Sequence, residues 1–113
     1  SFSTSRARFD YYEQKRIHNA HLQNTAPTYG WVKEAVGVTK VLLDKELDRQ
    51  IETPLLLCQA SRDTVVCLPE QNRFVSLLPH AQLRAFDAKH EIYMSANDIM
   101  REYVPTVIEF LRG

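Results

Sequence analysis

Apolar positions in the first half of the chain recur at helical spacing. Phe9 and Tyr12, extended by the aliphatic stem of Arg16, form a stripe behind Ser3 or Thr4, either of which can cap a helix start. The polar run His18 to Pro27 breaks the pattern and reads as a loop. A second helix is predicted from about Thr28, whose hydroxyl suits an N-cap. Trp31, Ala35, Val38 and Leu42 line one stripe of it, and Val32, Val36, Leu43 and Leu47 widen the apolar face. Gly37 weakens this helix slightly, and Asp44 to Arg49 is a charged, solvated tail.

The period changes in the second half. Thr53-Pro54 stops the helical pattern, because the residue before proline avoids the α region. Leu55 to Gln59 is a short continuous apolar run, as expected of a strand buried on both faces of a parallel sheet. A loop from Ala60 to Pro69 follows. A helix from Glu70 to Leu78 then carries Phe74, Leu77 and Leu78 inward, and Pro79-His80 ends it. Gln82 to Phe86 is a second strand, Asp87 to Ser95 a loop, and Asn97 to Leu111 a terminal helix with Ile99, Tyr103, Val107, Phe110 and Leu111. Pro105 should kink that helix or begin its second part. Strand, helix and strand in about 32 residues make a βαβ unit, with parallel strands and a right-handed crossover. The fold class is therefore α/β. The chain divides into a helical segment, 1–50, and a βαβα part, 51–113.

Composition narrows the function. At 113 residues and 13.1 kDa the chain is one domain or part of one. Fourteen basic residues balance fourteen acidic ones, which argues against a nucleic-acid binder. No apolar run approaches the roughly 18 residues that span a bilayer. Ser1 to Arg8 is polar and basic, so no secretory signal is expected. Cys58 and Cys67 look like free thiols of a reducing compartment, which places the protein in the cytoplasm. His18 and His21 alone are a weak metal signal, and no metal or organic cofactor is expected. Arg6, Arg8, Lys15 and Arg16 form a small basic face. A solvated helix face explains it, and contact with phosphate headgroups at the inner membrane is the sharper alternative.

Sites in open α/β sheets gather beyond the carboxyl ends of the strands. Asp63 follows the first strand and His90 follows the second. Neighbouring strands lie about 4.8 Å apart, so an Asp–His hydrogen bond is geometrically easy. Such a carboxylate fixes an imidazole's tautomer and stabilises its protonated form. An aspartate in such a loop also serves as an ordinary turn residue or helix cap.

The segment PLLLCQASRDTVV, Pro54 to Val66, resembles the acid-bearing strand and loop of α/β-hydrolases, and FDAKHEIYM, Phe86 to Met94, resembles their histidine loop. APTYGWVKEA, Ala26 to Ala35, and TSRARFDYYEQKR, Thr4 to Arg16, are similar to the bacterial lysophospholipase L2 group, which is related to the monoacylglycerol lipases. The resemblance runs from about Thr4 to Leu111 and covers only the C-terminal portion of such an enzyme, with segment 1–50 following its cap region. It implies a carboxylic ester hydrolase with a Ser-His-Asp triad, in which Asp63 is the acid and His90 the base. It also implies a lysophospholipid or related monoacyl lipid as substrate. Tyr29, Trp31 and Ile92 could then line an acyl-chain pocket, or simply pack in the core.

The nucleophile is missing, since no glycine of the three, Gly30, Gly37 and Gly113, flanks a serine in a G-x-S-x-G elbow. A fragment of a longer enzyme, or a truncated product with another role, is therefore expected, and no useful esterase activity from these residues alone. Two departures stand out: Cys67 occupies the place of a second acid four positions after Asp63, and Pro105 interrupts the last helix. The rival reading is a non-catalytic α/β module whose unpaired strand edge favours a homodimer.

Overall fold

A computed structural model describes residues 2–23, 27–42 and 50–113. In chain order they form helix α1 (Arg6–Ile17), a 3₁₀ turn (Ala20–Leu22), helix α2 (Tyr29–Leu42), strand β1 (Leu55–Ala60), helix α3 (Leu68–Leu77), strand β2 (Ala81–Phe86), a second 3₁₀ turn (Ile92–Met94) and helix α4 (Asn97–Arg112). This mixture of helix and strand around a parallel pair is compatible with the α/β class.

β1 and β2 pair in parallel, with Leu55 opposite Ala81 and Ala60 opposite Phe86. α3 supplies the crossover. Pro69 sits in its first turn rather than in the preceding loop. Proline is at home there because its missing N–H would have had no helical partner. Gln59, buried at the end of β1, fastens the crossover by donating to Gln71 Oε1 (3.0 Å) and Asn72 Oδ1 (3.1 Å).

The core lies at the carboxyl end of the sheet. Ala60, Phe86, Ala88 and Ile92 are its buried members, and Cys58, Ile99 and Tyr103 pack against them. Phe86 and Tyr103 meet edge to face at 5.6 Å, which docks α4 on β2. Burial and this packing raise the ordinary pKa of the Cys58 thiol, against a smaller opposing effect of Arg84.

Four expectations need correction. α1 begins later than Ser3 or Thr4 would set it. Ser5 is its N-cap and accepts from Arg8 N at 3.3 Å, because Ser3 and Thr4 turn their hydroxyls to the segment before α4. β1 is buried only at Gln59 and Ala60; Leu55 to Cys58 are half-buried, since β1 has a strand partner on one side only among the described residues. Pro105 does not begin a second part of α4, which runs unbroken through it from Asn97 to Arg112. α2 starts as expected, with Trp31 N donating to Thr28 Oγ1 at 3.1 Å, but its apolar face is not covered. Trp31, Val32, Val36, Val38 and Leu42 are all exposed. The rest of that face, Leu43 and Leu47, and the charged tail 44–49 lie outside the described residues. No helix among the described residues is long and apolar enough to cross a membrane.

Candidate active site

The parallel ladder continues past the strand ends into the two loops that carry the candidate residues. Ser61 N donates to Phe86 O at 2.9 Å and Arg62 N to Ala88 O at 3.0 Å. Arg62 then bridges to Asp87 from the side, with Nε 2.8 Å from Oδ1 and Nη2 donating to the Asp87 carbonyl at 3.1 Å. These bonds fix the spacing of the loops independently of Asp63 and His90.

Asp63 sits on a tight turn closed by its own N–H donating to Ala60 O at 3.2 Å. Its two oxygens do different work. Oδ1 accepts from Val65 N at 2.7 Å and Val66 N at 3.2 Å, an Asx-type turn that fixes the side chain. Oδ2 lies 2.9 Å from His90 Nδ1. The Asp63 side chain is only 5% exposed, whereas that of His90 is 37% exposed. Burial pushes the carboxyl's pKa up. The His90 hydrogen bond, the two backbone N–H groups and the imidazole's charge outweigh it, so the net pKa lies below the ordinary 3.8.

An ionised carboxylate can only accept, so in neutral His90 the proton sits on Nδ1. Nε2 is left with its lone pair free, and no described residue hydrogen-bonds it. The pair can therefore take a proton at Nε2 and hold the resulting charge against Asp63. Cys67, at the place of the expected second acid, is exposed and makes no capping bond. The loop's hydrogen bonds come from Asp63 itself.

The other expected residues lie elsewhere. Ile92, two residues after His90 in the histidine loop, is buried in the core, 8% exposed. Tyr29 and Trp31 stand exposed on α2, with no ring or hydrogen-bond contact to Asp63 or His90. Of the serines, Ser95 is fully buried and Ser76 donates to Arg73 O at 2.6 Å. No serine among the described residues bonds His90 Nε2. No cluster of three or more His, Cys, Asp or Glu that could hold a metal occurs among the described residues.

One part of the site has no sequence signal. The Phe2 ring meets the His90 ring edge-on at 6.0 Å, and Phe2 O accepts from Glu91 N at 2.9 Å. Ser3 Oγ donates to Met94 O, and Thr4 Oγ1 accepts from Ala96 N at 3.1 Å. Arg8 donates from Nη1 to Ser95 O at 2.5 Å and from Nη2 to Asn97 Oδ1 at 2.8 Å. Local periodicity cannot reveal contacts across some ninety residues of chain.

Comparison with known proteins gives one relationship of note. The chain is 28% identical over 86 residues to a probable lysophospholipase L2 of Haemophilus influenzae. The match covers 75% of this chain and 27% of that protein, so the chain spans little more than a quarter of its relative's length. No family model and no solved structure matches.

Proposed function

We propose that this chain contributes the acid and the base of a serine ester hydrolase of the lysophospholipase or monoacylglycerol lipase type. The observation that carries the reading is the 2.9 Å contact of His90 Nδ1 with a buried Asp63 carboxylate where two parallel strands end. The similarity to a probable lysophospholipase supports a hydrolase of that kind and a monoacyl lipid as substrate.

In this mechanism a serine from outside residues 1–113 attacks the ester carbonyl. His90 Nε2 takes the serine proton and returns it to the leaving alcohol. A water then attacks the acyl-enzyme, with His90 again as base and the acid product released. Asp63 keeps His90 in the Nδ1–H tautomer and stabilises the imidazolium. The residues 51–113 are then the last part of the hydrolase sheet and 1–50 the segment following its cap. Tyr29 and Trp31, on the exposed face of α2, are the acyl-chain contacts, while Ile92 acts only by packing beneath the histidine loop.

The test is intact mass of the native gene product with and without a fluorophosphonate probe. The expected result is a mass well above 13.1 kDa that gains one adduct. His90→Ala should abolish the adduct, and Asp63→Asn should lower kcat by about 10⁴-fold through the wrong tautomer. A product of 13.1 kDa that stays unlabelled would sink the reading.

The edge of β1 that no described strand pairs favours a second reading, a non-catalytic module that pairs with another copy of itself. Sedimentation of that unlabelled product as a dimer would support it.

A further inference from the structure

We propose that Arg8, assisted by Thr4, is a positioning residue for the base: it holds the segment after His90 so that Nδ1 stays on Asp63. The inference rests on the reading of His90 as the base. It starts from how little His90 has of its own. The imidazole is more than a third exposed and makes a single hydrogen bond. The chain beyond it is short and irregular: a 3₁₀ turn, Ile92–Met94, and then α4, whose N-cap Ala96 has no side chain able to cap. The polar backbone groups there find partners in residues 2–8. The Glu91 N–H goes to Phe2 O, the Ala96 N–H to Thr4 Oγ1, the Met94 carbonyl to Ser3 and the Ser95 carbonyl to Arg8.

Arg8 is the member suited to fixing orientation. Its planar fork reaches two acceptors at once, the Ser95 carbonyl that precedes α4 and the Asn97 side chain that opens it. Two bonds from one rigid group set a direction, whereas an ammonium would set only a distance. Arg8 is half-buried and comes from α1, whose own start is fixed by the Ser5 cap. The histidine loop is therefore gripped on both sides, by Arg62 on Asp87 before the imidazole and by Arg8 after it. Arg62 reaches across from the acid's own loop. Arg8 ties the base to an element that the acid does not touch.

The tautomer of neutral His90, read from long-range ¹H–¹⁵N spectra of the full chain, tests this. A merely structural role would leave it unmoved, because Asp63 alone would still select Nδ1–H. The wild type should show Nδ1–H. Asp63→Asn should shift the ring towards Nε2–H. Arg8→Ala should shift it the same way with the amide signals of β1, α3 and β2 unchanged, and Arg8→Lys should restore it in part. A wild-type tautomer in Arg8→Ala, beside a shifted one in Asp63→Asn, overturns the inference and leaves the reading of the pair standing. A wild-type tautomer in both overturns the pair itself, and the inference with it. Should Arg8→Ala unfold the chain, Thr4→Val carries the same test, and an unshifted ring there is decisive against the proposal.

Discussion

Asp63 is the residue on which most of the site depends, because its two oxygens answer to different masters. Oδ1 belongs to the turn and Oδ2 to the imidazole. Its pKa is depressed in the fold, so the stability it contributes is present above the unfolded value near 3.8 and is lost as pH falls through the lower folded value. The melting temperature of the wild type should therefore exceed that of Asp63→Asn at neutral pH, with the gap narrowing as pH drops below 3.8. Thermal melts of both proteins across that range check it; a gap that widens on acidification contradicts the assignment. Asp63 and His90 were legible in the sequence because each follows a predicted strand, and the ends of paired strands are neighbours. The roles of Ser3, Thr4 and Arg8 were not. Their residue types suit a helix start, and Ser5 took that place instead because the hydroxyls of Ser3 and Thr4 bond the segment before α4.

At the scale of elements, proline separates the two helices of the βαβα part. Pro69 occupies the first turn of α3, where no N–H is needed. Pro105 lies in the ninth position of α4 and leaves the Arg101 carbonyl without its helical donor. The helix survives because Tyr103 and Ile99 pack it on the core, so tertiary contact overrides local preference. Pro105 is exposed, and Pro105→Ala should raise stability by roughly 1–3 kcal/mol, less than the full helix-interior cost because alanine also loosens the unfolded chain. Urea unfolding measures it, and a lowered midpoint would mean that proline is not a strained position. The strands, the crossover and α4 were readable from period and punctuation. The fate of α2 was not: a 3.6-residue period shows that a helix has an apolar face but says nothing of what lies against it.

The molecule as a whole is more open than its mass suggests. Its accessible surface is 8691 Å², against about 6,400 Å² for a compact 13.1 kDa monomer. Its radius of gyration is 16.4 Å, against about 13 Å for a globule of this length. The excess has a visible source in α2, where Tyr29 is 86% and Trp31 64% exposed and no residue is buried. Protection from amide hydrogen exchange should follow the same division, highest in β1 and β2 and lowest in α2, since local opening is least costly where few apolar contacts are lost. Uniform protection across α2 and the strands would mean that α2 is covered in solution. None of this was visible in composition, because 44% apolar residues is an ordinary fraction whether or not they are buried.

The bonds between residues 2–8 and 91–97 also impose an order of assembly. Asp63 and His90 are 27 positions apart and belong to one strand–helix–strand unit, so the loop between them closes at a lower entropic cost. The grip of Arg8 on Ser95 closes a loop of 87 positions, and loop-closure entropy and contact order both place such an event late. During synthesis residues 2–8 emerge long before their partners exist. Asp63 and His90 can meet early, whereas the bonds from residues 2–8 to residues 91–97 form only when that earlier segment turns back on one made long after it.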